Sequence, residues 1–201
     1  GLYMGDGEVV FSRGGRVERY PVEGPGLKGV HNQENAMAAI AALRLFGVSR
    51  EDILEGLQGF KGLRHRMEFV RERGGVTFVN DSKGTNTGAL MMALKSTPGP
   101  VVLIAGGREK HGDYSMLVPL MAGKVKLLIV LGEAAPALQE AFQDVTDVRA
   151  VSSMEEAVET AAGEAAAGET VLLSPACSSF DMFRDYKERG ERFEALVRAL
   201  D

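Results

Sequence analysis

From about residue 62 onward, short apolar runs alternate with stretches of helical periodicity, and this alternation limits the possible folds more than any other feature. The runs are rich in β-branched residues and cover 67–71, 76–80, 101–105, 127–131, 148–151 and 171–174. Helical stretches lie near 88–95, 115–122, 134–142, 154–167 and 192–200. The pattern predicts an α/β fold, a doubly wound and mostly parallel sheet with right-handed crossovers.

The first 62 residues have a different pattern. Two strands are predicted over 8–12 and 16–20, around a Gly14-Gly15 turn. An Ala-rich run over 36–46 is apolar nearly all round and predicts a buried helix, and Ser49 is placed to cap a further short helix. Too few strands are present to close a domain. We therefore expect 1–62 to be the end of a domain that begins in a longer protein, and 63–201 to be a second domain.

Composition excludes several classes of protein. The net charge of −5 argues against a broad basic surface for nucleic acid. No apolar run approaches the roughly 18 residues of a membrane helix. The single Cys177 excludes a disulfide framework and a multi-cysteine zinc site, and a reducing cytoplasm is the expected compartment. The three histidines lack the spacing of zinc ligands, so no metal is assigned to this chain.

Polar or Gly-rich segments follow three of the predicted strands, at 80–87, 105–113 and 174–181. Ligands of open α/β sheets bind beyond the carboxyl ends of the strands, so we expect a ligand site here. The first segment combines Asp81, Lys83 and Thr85 just before a helix, where backbone N–H groups favour anions. For that segment the alternative is a capped turn, with Asp81 or Thr85 as the cap. Around Lys110 the alternative is a solvated loop, and for Cys177 a buried thiol is the preferred interpretation.

Three further residues are candidates for nucleotide contacts. Asn32 and Asn35 are spaced to share a helix face, and amides can bind the donor–acceptor edge of adenine. Asn32 as a helix cap is the alternative. Arg66 suits a bidentate phosphate contact, with a surface ion pair to Glu68 as the alternative. No G-x-x-x-x-G-K-[ST] pattern occurs, so a triphosphate site built by this chain alone would be incomplete.

In combination, these motifs resemble the C-terminal part of the Mur ligases, over essentially the whole chain. Within the family the resemblance is to the members that add D-glutamate to UDP-N-acetylmuramoyl-L-alanine. The stretch Tyr-Ala-His of sister ligases and the motif Asp-Asn-Pro-Arg of the diaminopimelate or lysine step do not occur. The resemblance is carried by His31 to Asn35, Gly62 to Glu68, Asn80 to Asn86, Gly106-Gly107 with Lys110, and Ser174 to Asp181.

The resemblance implies a three-domain, monomeric, cytoplasmic ligase of peptidoglycan precursor synthesis. ATP would phosphorylate the substrate carboxylate, and the D-glutamate amine would attack the resulting acyl phosphate. The P-loop, the Mg²⁺ ligands and a carbamylated lysine would lie in a part of the protein that precedes this chain. The chain is therefore predicted to be inactive alone. The expected partners of the ligase are its small-molecule substrates, and neither nucleic acid nor a membrane is expected as a partner.

The resemblance also implies roles for individual residues. Lys83 and Arg66 would be catalytic. The ATP contacts would come from Asn32, Asn35, Arg66 and Asp81. The D-glutamate pocket would be formed by Lys83, Thr85, Lys110, Ser179, Phe180 and Tyr186, the last at a position where the family commonly has Phe.

Two other interpretations remain open at this point. The chain could belong to a related amino-acid ligase such as a folylpolyglutamate synthetase, although the run at 80–86 fits that family poorly. It could also be a non-catalytic binding domain that evolved as a separate protein. An upstream reading frame that supplies a P-loop would distinguish the ligase from the separate domain.

Overall fold

The computed structural model describes residues 1–22, 24–27, 29–109 and 112–201. These residues form two compact units, Gly1–Leu63 and Arg64–Asp201. Each unit has its own hydrophobic core.

The first unit is a three-stranded antiparallel sheet with two helices. Its strands are β1 (Leu2–Gly5), β2 (Glu8–Arg13) and β3 (Arg16–Pro21), in the order β1-β2-β3. Its helices are α1 (Val30–Leu45) and α2 (Arg50–Gly59). The predicted hairpin is confirmed, because Arg13 pairs with Arg16 across the Gly-Gly turn. Strand β1 was not predicted.

Helix α1 differs from the prediction in its start and in its burial. It begins at Val30, six residues before the predicted run, after an N-cap at Gly29. Among its side chains of described burial, only Ala36 and Ile40 are buried, whereas Leu45 is 63% exposed. The prediction of a buried helix is wrong for this unit, since a small sheet covers only one face of the helix. The cap of α2 is confirmed, because the Ser49 hydroxyl accepts the Asp52 N–H at 3.1 Å.

The second unit is built on a six-stranded sheet in the order β4-β5-β9-β6-β7-β8. Only the β4–β5 pair is antiparallel, and the other pairs are parallel. The strands are β4 (Glu68–Arg73), β5 (Val76–Asn80), β6 (Val101–Gly106), β7 (Val125–Leu131), β8 (Asp147–Ala150) and β9 (Thr170–Ala176). All six predicted strands are present, so the predicted α/β class and mostly parallel sheet are confirmed.

Helices cover both faces of this sheet, as a doubly wound fold requires. One core contains Leu94 and Phe142 from helices α3 (Thr87–Ser96) and α5 (Ala135–Phe142), together with Met121 from α4 (Val118–Lys124). The opposite core contains Met154 of α6 (Met154–Glu164) and Phe193 of α7 (Tyr186–Ala199). Strands β6 and β9 are buried throughout, which explains their continuous apolar runs.

Two helix starts are set by side-chain caps that fix the ends of the site segments. Asn86 caps α3 by accepting the Ala89 N–H at 2.9 Å, so neither Asp81 nor Thr85 is the cap that the alternative interpretation proposed. Asp185 caps α7 by accepting N–H groups of Lys187 and Glu188, each at 2.9 Å. Helix α7 thus begins six residues before the predicted start at 192. No helix in the described ranges is long and apolar enough to cross a membrane.

Candidate functional site

The three polar strand-end segments meet at one edge of the sheet of the second unit. Strand β9 lies between β5 and β6, and Leu173 is in register with both Asn80 and Ile104. Because the three strands are parallel, their carboxyl ends are adjacent. The edge predicted for ligand binding therefore exists and is formed by 80–87, 105–109 and 174–181.

Asp81 is held at the centre of this edge. It is 5% exposed, and its two carboxylate oxygens accept from the backbone N–H of Met67 at 3.2 Å and from the Ser174 hydroxyl at 2.8 Å. Burial raises the pKa of Asp81 to about 6, although Ser174, the Met67 N–H and the charge of Arg66 act in the opposite direction. A Cβ at Gly84 would overlap the carboxylate, so this glycine lets the chain pass close to Asp81.

We expect Asp81→Asn to stabilise the second unit above pH 6. The carboxyl group binds its proton more tightly in the folded chain than in the unfolded chain, so ionisation destabilises the fold. The penalty is absent below about pH 4 and complete above about pH 6, and it amounts to about 3 kcal/mol. Denaturant unfolding from pH 4 to pH 8 measures it. An equal pH dependence for wild type and Asp81→Asn would contradict the assignment.

Lys83 and Tyr186 are brought together at the same edge. Lys83 follows β5 and is exposed, and its Nζ lies 4.2 Å from the centroid of the Tyr186 ring. Its backbone N–H donates to the His65 carbonyl at 2.9 Å, which fixes the start of the segment. A cation on an aromatic face is restrained without losing its N–H donors, so the ammonium remains available to an anionic ligand.

The other predicted pocket residues lie on the same segments but differ in exposure. Ser179 is 2% exposed, Thr85 is half-buried, and Phe180 is 60% exposed. Asp181 accepts the Glu133 N–H at 3.0 Å in the short loop before α5. Lys110 lies outside the described residues, so its place in the pocket stays a prediction.

Arg66 projects from a strained turn. It is exposed, and it makes no hydrogen bond or ion pair within the ranges that the structure describes. The neighbouring residues His65 and Met67 have φ values of 63° and 46°, which are unfavourable for residues other than glycine. His65 is 3% exposed, its N–H donates to Glu68, and its ring contacts Asn80. Glu68 therefore holds the backbone of the turn and leaves Arg66 unpaired.

One group in this region has the composition of a metal site. His65, Glu68 and Glu194 place one ligand atom each within 4.8 Å of one another. The Glu68 carboxylate accepts the His65 N–H at 2.7 Å, and Glu194 accepts the Asn80 side-chain amide at 2.8 Å. These hydrogen bonds account for the cluster, and we assign it a structural role.

The two predicted adenine contacts lie in the first unit. Asn32 and Asn35 occupy the first turns of α1, Asn32 half-buried and Asn35 exposed. The cap of this helix is Gly29, so the alternative interpretation of Asn32 as a cap is wrong. Their spacing of three positions places them on one side of the helix, as predicted.

Sequence reasoning missed Arg189, the most deeply buried cation among the described residues of the site. It is 2% exposed and donates hydrogen bonds to Ser82, Cys177 and Gly106. The available signal was its spacing, four residues before Phe193 and eight before Val197 on the buried face of α7. Burial lowers the pKa of Arg189 to about 10, so the guanidinium stays protonated at neutral pH.

A known protein family matches most of the part of the chain that forms this edge. Residues 65–177, more than half of the chain, match the family described as "Mur ligase, glutamate ligase domain". The chain belongs to the Mur ligase family. The matched region of this Mur ligase begins in the turn at Arg66 and ends inside the segment 174–181, so it contains all three strand ends.

Curated relatives of this Mur ligase chain share one name. It is 46% identical over 199 residues to a UDP-N-acetylmuramoylalanine–D-glutamate ligase of Geobacter sp. (strain M21), covering 99% of this chain and 44% of that relative. It is 48% identical over 200 residues to the ligase of the same name from Pelobacter propionicus, covering 100% of this chain and 45% of the relative. The chain thus spans less than half the length of these curated relatives.

A solved structure supports the fold. Escherichia coli FolC in complex with ADP matches with a TM-score of 0.69 at 22% identity, over 98% of this chain and 46% of FolC. At this identity the match concerns the fold alone. It shows that the fold of this Mur ligase chain occurs in a protein that binds an adenine nucleotide.

Proposed function

We propose that this chain supplies the amino-acid-binding part of an ATP-dependent ligase of the cytoplasm, which joins D-glutamate to UDP-N-acetylmuramoyl-L-alanine in peptidoglycan precursor synthesis. The observation that carries the proposal is the edge formed by 80–87, 105–109 and 174–181, where the exposed Lys83 and the buried Ser179 lie. This edge occurs in a chain 46–48% identical to ligases of that name. The fold match to FolC does not favour folate chemistry, since it concerns the fold alone.

The chemistry of D-glutamate suits this edge. The amino acid has two carboxylates and one amine, and the amine must be neutral when it attacks the acyl phosphate. A pocket of cations and hydroxyls binds the carboxylates and leaves the amine free. The exposed Lys83 ammonium and the hydroxyls of Thr85 and Ser179 provide such groups, and Lys110 is proposed as a second cation.

The nucleotide is assigned to a second group of residues. Arg66 is the proposed phosphate ligand, because its guanidinium is exposed and unpaired among the described residues. Asp81 is proposed to accept from the ribose hydroxyls, since each of its oxygens has an acceptor site left after one hydrogen bond. Asn32 and Asn35 are the proposed adenine ligands. Bound Mg²⁺ would neutralise phosphate charge, and no ligand for it is proposed in this chain.

D-glutamate should be selected over L-lysine and diaminopimelate. A diamino acid would bring an ammonium close to Lys83, and an unpaired buried ammonium costs several kcal/mol. Isotope-labelled chain titrated with each amino acid should show amide shifts at 83–85 and 178–180 with D-glutamate alone. Steady-state turnover of the full-length gene product should show the same selectivity. The 201-residue chain alone should show no turnover with any of these amino acids. Preference for a diamino acid would refute the proposal.

Arg66→Ala in the full-length gene product should impair ATP use more than D-glutamate use. A charge-assisted contact between guanidinium and phosphate contributes roughly 1.5–3 kcal/mol. The expected result is a lower kcat/KM for ATP with a nearly unchanged KM for D-glutamate. Arg64→Ala is the matched control, because Arg64 is also exposed but forms ion pairs with Glu191 and Glu194. An unchanged ATP dependence would remove Arg66 from the nucleotide site.

A further inference from the structure

The side chain of Arg189 connects the three strand-end segments through hydrogen bonds. Its Nε donates to the Ser82 hydroxyl at 3.0 Å, and Nη2 donates to the Ser82 carbonyl at 2.8 Å. Both Nη atoms donate to the Cys177 carbonyl at 3.2 Å, and Nη1 also contacts the Gly106 carbonyl at 3.4 Å. Ser82, Gly106 and Cys177 belong to three different segments, so a single guanidinium fixes their relative positions.

The segment after β9 needs such a restraint. Ala176 has a φ of 58°, a left-handed conformation that residues other than glycine rarely adopt. Its N–H donates to the Gly84 carbonyl at 2.9 Å, and the next carbonyl, that of Cys177, is held by Arg189. Strained conformations of this kind persist only where the surrounding contacts fix them. The bend at Ala176 directs the chain into 178–180, where Ser179 and Phe180 lie.

Stability alone is a poor explanation for a charge in this position. Arg189 is 2% exposed, and its hydrogen-bond partners are carbonyl and hydroxyl oxygens, while carboxylates act on it only through longer-range attraction. Burying a guanidinium without an ion pair is costly, and apolar residues often replace buried charges without loss of stability. The geometry gives a different reason for a planar, forked donor, since only such a group reaches three segments at once.

We propose that Arg189 is a positioning residue of the amino-acid pocket, which holds the segments after β5, β6 and β9 in the spacing that D-glutamate requires. The inference rests on the proposed ligase function. Arg189 is covered by these segments, so it acts through the placement of Lys83 and Ser179 and not by touching the substrate. Its loss should therefore affect the amino acid more than the nucleotide.

The test compares Arg189→Met and Arg189→Lys with the control Arg192→Met in the full-length gene product. Arg192 lies on the same helix, but it is exposed and pairs with Glu155. Arg189→Met should lower kcat/KM for D-glutamate by about 100-fold, because small misplacements of binding groups have effects of this size. Arg189→Lys should be intermediate, since it keeps the charge but lacks the fork. Arg192→Met should match wild type, and KM for ATP should change little in all three.

A second measurement keeps the test valid if Arg189→Met fails to fold. Arg189→Lys and Ser82→Ala, which removes one acceptor, are then compared in the isotope-labelled 201-residue chain by titration with D-glutamate. Both should need more D-glutamate than wild type to shift the Ser179 amide. Equal titrations, or an equal rise in KM for ATP and for D-glutamate, would overturn the role of Arg189. A wild-type protein that neither binds nor uses D-glutamate would instead overturn the proposed function, and this inference with it.

Discussion

Gly107→Ala should destabilise the second unit by at least about 3 kcal/mol, because it combines backbone strain with a steric overlap. Gly107 has a φ of 131°, where residues with a side chain are strained. A Cβ there would overlap the Ser178 carbonyl oxygen and lie 3.1 Å from Nη1 of Arg189. Neither can move cheaply, since that carbonyl accepts the Arg108 N–H at 2.8 Å and Arg189 is held by its own hydrogen bonds.

Urea unfolding followed by circular dichroism measures this effect, with Gly163→Ala as the matched control. Gly163 lies in α6, and a Cβ there would meet nothing within 4 Å. Alanine favours a helix over glycine by roughly 1 kcal/mol, so the control should be neutral or stabilising. If Gly107→Ala unfolds with a free energy within about 0.5 kcal/mol of wild type, the tight approach of these two segments is wrong.

Lys83→Met should reduce kcat/KM of the full-length gene product by roughly 10- to 150-fold, because it removes the ammonium proposed to bind a carboxylate of D-glutamate, and such a charge-assisted contact contributes roughly 1.5–3 kcal/mol. The Tyr186 ring at 4.2 Å restrains the Lys83 ammonium, which limits the freedom lost when a ligand binds. Tyr186→Phe keeps the aromatic face and should have little effect, whereas Tyr186→Leu should weaken D-glutamate use.

Lys187→Met is the control for Lys83→Met. Lys187 is exposed and follows Tyr186 directly, and its replacement by Met changes the net charge by the same amount as Lys83→Met. Steady-state kinetics with D-glutamate as the varied substrate measures both variants. A Lys83→Met protein as active as Lys187→Met would show that the Lys83 ammonium faces solvent without a catalytic role.

The centre of the sheet was predictable from the sequence because strands β6 and β9 are buried on both faces. Strand β6, from Val101 to Gly106, is a continuous apolar run of strand length, and each of its residues is buried. The adjacency of the three ligand segments also followed from the rule on strand ends. The central place of β9 did not follow from the sequence, because strand order depends on tertiary packing that no local pattern records.

The incorrect predictions for α7, Arg189 and α1 also depend on tertiary packing. The residues that begin α7 are mostly charged, so helical periodicity becomes visible only from residue 192, whereas the Asp185 cap sets the true start. Arg189 was missed because charged residues are seldom buried, and its environment is formed by backbone carbonyls from distant segments. Helix α1 has the apolar composition of a core helix, but composition does not reveal how much surface is available to cover it.

The position of β9 has a consequence for synthesis on the ribosome. Strands β5 and β6 are separated in the sheet by β9, which is the last of the described strands to be made. The contact of Ser174 with Asp81 joins residues 93 positions apart. Until β9 emerges, both neighbouring strands expose unpaired backbone edges, and such non-local pairing is slow and prone to aggregation. The ligand edge is therefore completed late, and a nascent chain that stalls before residue 170 lacks the segment 174–181 and Arg189.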